Sequence, residues 1–176
     1  MNNLIQSKKQ LEKLARIKKE QDKADEFFMR KAIKKARLAL KKGEIPVGAV
    51  IVKDGRVVSF GENKKESKNC AVYHAEINAV TAASKKLGWR LDGCEIYVTL
   101  EPCTMCAGAI VSSRIKRVVF GASENKSGAF GSRFDFSKDS GLNSVPEVKG
   151  GVLAEECAVL MSEFFSAKRQ NAVKRD

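Results

Sequence analysis

The chain has 176 residues, with 33 Lys and Arg against 21 Asp and Glu, a formal net charge of +12 and 43% hydrophobic residues. That length and apolar content suit one domain with a core of its own, and no apolar run approaches the length of a membrane-spanning helix. The start Met1-Asn2-Asn3-Leu4-Ile5 runs into lysines and lacks the apolar stretch of a secretory signal, and an odd number of cysteines argues against a disulfide framework. A reducing cytoplasm is the expected compartment.

Residues 1–24 hold seven basic and three acidic side chains, with Leu4, Leu11, Leu14 and Ile17 on a loose apolar stripe. They are expected to form a basic helical N-terminal extension that is solvated or binds a partner. From 24 to 42 the spacing Phe28, Ala32, Ile33, Ala36, Ala39, Leu40 predicts a helix, with Gly43 where a C-terminal cap belongs. Residues 47–53 form a short β-branched run, and Asp54-Gly55 is a two-residue hairpin signal into a second strand over 56–60. A polar loop over 61–72 and a helix over 75–86, ended by Gly88, come next. Then follow a strand over 95–99, a helix after Pro102 and a strand over 117–120. Residues 121–145 read as a long functional loop with one short helix. A strand near Glu147, a helix over 153–168 and a basic C-terminal tail at 169–176 complete the chain. Strands alternating with helices predict a layered α/β domain over 25–168 with a mixed sheet, antiparallel at the hairpin and parallel at the crossovers.

His74 is the only histidine. It stands in His74-Ala75-Glu76, and Pro102-Cys103-Thr104-Met105-Cys106 follows downstream. One imidazole and two thiolates are three ligands for a tetrahedral zinc with its fourth position open, the arrangement of catalytic rather than structural sites. A carboxylate two residues from the histidine supplies the acid/base partner that an activated water needs. The pattern H-x-E…P-C-x-x-C is the signature of zinc nucleobase deaminases. A second C-x-x-C or a second histidine, which a structural four-ligand site would need, is absent. Cys70, Cys94 and Cys157 stand singly in or beside apolar stretches and read as buried thiols. Both motifs open predicted helices, so Cys103 and Cys106 share a face, and two helix N-termini converge on one point. Glu76 is expected to take a proton from water and pass protons to the ring nitrogen and the departing amine.

The excess positive charge makes a nucleic-acid partner plausible. Beyond these readings, the chain resembles the bacterial tRNA adenosine deaminases over roughly residues 25–168. The likeness rests on Ile45-Pro46-Val47-Gly48-Ala49-Val50, His74-Ala75-Glu76-Ile77, Tyr97-Val98-Thr99-Leu100-Glu101-Pro102-Cys103-Thr104-Met105-Cys106-Ala107-Gly108-Ala109 and Arg117-Val118-Val119-Phe120-Gly121-Ala122. Gly151-Val152-Leu153, Glu155-Glu156-Cys157 and Glu163-Phe164-Phe165 continue it. The resemblance implies a three-layer α/β/α cytidine-deaminase-like fold with a mixed five-stranded sheet, one Zn2+ per subunit and a homodimer. It implies conversion of the wobble adenosine, position 34 of a tRNA anticodon stem-loop, to inosine. By the same match Asn63 contacts base or ribose, Ile45, Val47 and Leu100 line the base pocket beside Ala75, and Phe165 lies near the anticodon loop. For Ile45, Val47 and Leu100 plain core packing is the competing reading.

The chain departs from that pattern at Ala71-Val72-Tyr73, at Glu124, where an aspartate is usual, and at Leu142-Asn143-Ser144-Val145-Pro146. None of these touches His74, Glu76 or the cysteine pair, so they bear on the substrate and not on the reaction. A free nucleobase or nucleoside deaminase of guanine or cytosine type, using the same zinc site, is the alternative. A non-catalytic zinc module that binds RNA is a third reading, in which Glu76 has no role.

Overall fold

The computed structural model describes residues 2–138, 141, 142 and 144–173, with side chains over 9–138, 141, 142 and 144–170. Asn143, the side chain of Leu4 and the end of the basic tail lie outside the described residues.

Five strands form one sheet: β1 (Gly48–Lys53), β2 (Arg56–Glu62), β3 (Cys94–Leu100), β4 (Arg117–Ala122) and β5 (Glu147–Lys149). Their order is β2-β1-β3-β4-β5. β1 is antiparallel to β2 and to β3, while β3–β4 and β4–β5 are parallel. The β1–β2 hairpin turns at Asp54-Gly55, where both φ angles are positive (49° and 70°), as a tight primed turn requires. Helices α1 (Asn2–Lys41) and α4 (Ala154–Val173) cover one face, and α2 (Ala75–Leu87) and α3 (Thr104–Ser112) the other. The central strands are buried on both sides. Ala49, Ile51, Ile96, Val98, Val118 and Phe120 face α2 and α3, while Val50, Val52, Tyr97 and Val119 face α1 and α4. Alternate residues point to opposite faces, so these strands are near-continuous apolar runs.

The expected three-layer α/β/α architecture is present, with four differences of detail. First, the two N-terminal segments are one unbroken helix, since nothing in the sequence between them stops it. Second, β2 continues to Glu62, because α2 lies close over it. A Cβ at Gly61 would run into the carbonyl of Ala75, so glycine there is what lets the helix bearing His74 settle onto the strand. Third, residues 123–138 contain turns and two isolated bridges, Cys103–Gly128 and Phe130–Asp135, and no helix among the described residues. Fourth, Cys70 is only partly buried, unlike Cys94 and Cys157.

A buried ion network fixes α1 to the sheet. Arg117 Nη1 and Nη2 donate to the two carboxylate oxygens of Asp25 at 2.8 and 2.9 Å, and Tyr97 OH and Lys149 Nζ donate to the same group at 3.1 and 2.7 Å. This cluster sits where β3 and β4 begin, the end of the sheet away from His74 and Cys103. The first 20 residues of α1 therefore run on past that end, about 30 Å of helix at 1.5 Å per residue. Leu11, Leu14 and Ile17 are 64, 54 and 52% exposed on it. The N-terminal basic charge is carried away from the site rather than beside it.

Candidate active site

His74 is the N-cap of α2 and Cys103 the N-cap of α3, both with extended backbone (φ −73°, ψ 158° and φ −73°, ψ 172°). N-cap side chains usually bond their own helix. Neither does so here, which leaves the imidazole and the sulfur to face each other. Cys106 follows in the first turn of α3, one turn along the same face as Cys103.

His74 Nδ1 lies 3.8 Å from Cys103 Sγ and 3.6 Å from Cys106 Sγ. All three donor atoms are within 4.8 Å of one another. A tetrahedral zinc with Zn–S of about 2.3 Å and Zn–N of about 2.0–2.1 Å has N···S edges of about 3.6 Å. The triangle therefore fits that ion, and its nitrogen and sulfur donors suit zinc chemically. Donation from the Cys106 thiol, outweighing burial and joined by His74, holds Cys103 down at about 4. The same contact and burial push Cys106 up, and the Cys103 sulfur raises His74.

Glu76, 4% exposed, stands in the first turn of α2 beside His74. Burial raises its carboxyl above the usual carboxylate range, against the pull of its own backbone N–H and of His74. A carboxyl so placed both accepts and returns a proton more readily near neutral pH. His74 and Glu76 open into a cavity of about 170 Å3, against roughly 300–1,000 Å3 for pockets that enclose a drug-sized ligand. The space suits one flat heterocycle.

Asn63, Ile45, Val47, Leu100 and Phe165 all line that cavity. Val47 also packs in the core, with Ile45 and Leu100 against it, so wall and core are one layer here. Phe165, 43% exposed, sits on the lip in an edge contact with Phe164, ring centroids 5.3 Å apart. Asn63 Oδ1 accepts from Lys65 N at 2.9 Å. Ala75 is not on the wall. Its methyl is wholly buried in the core, and its main-chain amide lies in the first turn of α2. Four further residues line the cavity that the motifs did not single out as contacts: Glu101, Glu124, Ser127 and Met161. Met161 and Phe165 are four residues apart on α4, a helical spacing readable in sequence only once it is known that this face meets the site.

The family model for the cytidine and deoxycytidylate deaminase zinc-binding region matches residues 22–122. The tRNA-specific adenosine deaminase of Bacillus subtilis is 45% identical over 147 residues, covering 83% of this chain and 91% of that protein. The Haemophilus influenzae protein of the same name is 51% identical over 148 residues, covering 83% and 86%. A structure from work on A-to-I editing by tRNA:A34 deaminases superposes with a TM-score of 0.73 at 41% identity, covering 76% of this chain and 98% of that one. The Bacillus subtilis guanine deaminase structure gives 0.54 at 41% identity, over 56% and 64%. On the strength of the motif geometry and of these relatives, the chain belongs to the tRNA-specific adenosine deaminases of the zinc-binding cytidine and deoxycytidylate deaminase family.

Proposed function

We infer that this protein hydrolyses the exocyclic amine of the wobble adenosine of a tRNA anticodon, with water as co-substrate and inosine and ammonia as products. The observation that carries this reading is the His74, Cys103 and Cys106 triangle beside buried Glu76, opening into a cavity the size of one base. His74, Cys103 and Cys106 would hold one zinc ion per subunit, and that ion would supply the Lewis acidity that makes water nucleophilic near neutral pH. Glu76 accepts one proton from the attacking water as its oxygen bonds to the amine-bearing ring carbon, and passes that proton to the ring nitrogen. It then takes the second proton from the new hydroxyl and gives it to the amine as the C–N bond breaks and ammonia leaves. Ile45, Val47 and Leu100 hold the base as an apolar slot, and Asn63 donates from its amide to the base or ribose, its Oδ1 being engaged by Lys65. The Ala75 amide lies within the same first turn as Glu76. Phe165 at the lip offers an aromatic surface on which a flanking base stacks, as single-stranded RNA binders do.

Residues 25–168 form the deaminase domain in this reading, with 1–24 as an extension and 169–176 as a tail, although α4 runs on past the expected helix end at 168 to Val173. Exposed Lys65, two residues from Asn63, and exposed Lys126, next to Ser127, support contact with phosphates flanking the target base. A homodimer is supported by apolar side chains left exposed around α2, among them Val72, Leu87 and Trp89. Five free cysteines fit the cytoplasm, and no helix among the described residues is long and apolar enough to cross a membrane.

Zinc-replete protein incubated with adenosine-34 tRNA is expected to produce inosine and ammonia, while free adenine, adenosine, guanine, cytosine and cytidine stay unchanged. Binding should weaken steeply with salt, by about 0.7 in log K per phosphate contact for each tenfold rise. Turnover of a free base with none on tRNA would instead assign a small-molecule deaminase. Metal analysis is expected to find one zinc per chain, and close to none after Cys106→Ser. A Cys106→Ser protein that keeps its full zinc would remove that residue from the ligand set.

A further inference from the structure

Both rims of the cavity are loops, and each is gripped by a buried carboxylate reaching out of the fold's frame. On one side Glu44, just after α1, accepts from Ser67 N at 2.7 Å and Glu66 N at 3.0 Å, in the loop that begins at Asn63. On the other, Glu101 lies between Leu100 and Pro102. Its Oε1 accepts from Phe130 N and Ser132 N at 3.0 Å, and its Oε2 from Glu124 N at 3.0 Å and from the Ser132 hydroxyl. The loop passes so close that a Cβ at Gly128 would strike this carboxylate. Both side chains are at most 2% exposed, and among the described residues neither makes an ion pair. Burial acts to raise the Glu44 carboxyl, yet the donated hydrogen bonds win and hold it below the ordinary range, and Glu101 accepts from three main-chain N–H groups and one hydroxyl.

A buried charge is a costly way to fill space, since an apolar side chain of similar volume would pack there without desolvation. What the carboxylate adds is geometry: it collects main-chain N–H groups that no helix or sheet satisfies and fixes where the loop sits. Each of these two groups bonds only rim residues. Glu124 and Ser127 on one rim and Asn63 on the other line the cavity, and Glu101 reaches its wall with all of its hydrogen bonds going to the rim loop.

We propose that Glu44 and Glu101 are positioning residues for the substrate, each holding one rim loop (63–70 and 123–132) in the arrangement that grips the base, with no part in proton transfer. This rests on the reading of the cavity as an adenosine site in RNA. Steady-state kinetics on an anticodon stem-loop should then split in a characteristic way. Glu101→Gln and Glu44→Gln are each expected to raise KM about tenfold or more, the size of one charge-assisted hydrogen bond. Their kcat should stay within about threefold of wild type and their zinc content should be unchanged. Glu101→Asp, which keeps the charge, should recover part of the loss. Amide exchange should quicken at Glu124, Phe130 and Ser132 in the Glu101 variant, and at Glu66 and Ser67 in the Glu44 variant. Should Glu101→Gln fail to fold, Ser132→Ala removes a single donor from an exposed residue and is expected to raise KM about threefold. Wild-type KM in these variants, or a loss confined to kcat together with lost zinc, overturns the positioning role. If wild-type protein leaves the stem-loop unchanged, the reading of the site as an RNA deaminase fails. The exchange measurement then decides separately whether the carboxylates hold the rims.

Discussion

Glu76→Gln protein loaded with zinc is expected to keep its metal and its fold and to lose turnover by about 10³-fold, within the range of one positioned acid/base group. Glutamine matches glutamate in shape but can neither take up nor return a proton. The ligand atoms of His74, Cys103 and Cys106 are untouched by the change, so metal content is the internal control. Stability should hold or rise slightly. Glu76 is buried, and its carboxyl is pushed up by that burial, so the ionised form is carried at a cost that a neutral amide removes. Ammonia release and inosine content, measured beside zinc per chain, check the prediction. A zinc-loaded Glu76→Gln enzyme with more than a tenth of wild-type activity would take Glu76 out of the proton path.

The largest effect on stability is expected at the other end of the sheet. Asp25→Ala should destabilise the protein by about 3–5 kcal/mol, because it strands the buried Arg117 guanidinium without its two-point partner. For a chain of this size that lowers Tm by about 10 °C. Burial acts to raise the Asp25 carboxyl, but Arg117, Lys149 and Gln21 together hold it far below the ordinary value of 3.8. A depressed carboxyl contributes stability above its unfolded value and loses it as pH falls toward the folded one. The gap between wild type and variant should therefore be constant from about pH 8 to 5 and narrow below about pH 4. Thermal melts across that range test it, and a variant melting within 2 °C of wild type at pH 7 would show the network to be dispensable. Zinc content of the folded variant should not change, since the cluster lies where β3 and β4 begin and the site lies where β3 ends.

Some of this molecule was legible from the chain alone. A single histidine, a carboxylate two residues on and a cysteine pair with helical spacing leave few ways to build a site, and the structure brings the three metal-ligand candidates within 4.8 Å. The apolar runs of β1, β3 and β4 and the Asp54-Gly55 turn carried the sheet for a similar reason, because side-chain period and turn chemistry are local properties. Other expectations failed where local signals are weak. The short helix expected in the loop over 121–145 is absent among the described residues 123–138, and the segment 124–132 is instead held by Glu101, a partner more than 20 residues away.

The sequence by itself pointed to zinc-dependent deamination, the activity of its relatives, since residue type, spacing and the neighbouring carboxylate are chemistry written over a few consecutive residues. Only the tertiary structure decided which walls surround that chemistry. It placed Met161 and Phe165 of α4 on the same cavity as Asn63, packed the Ala75 methyl into the core, and paired Asp25 with Arg117 across 92 residues. It also sent the basic arm of α1 away from the site. Contacts between distant segments depend on how the whole chain closes its core, and no local period or propensity records that closure.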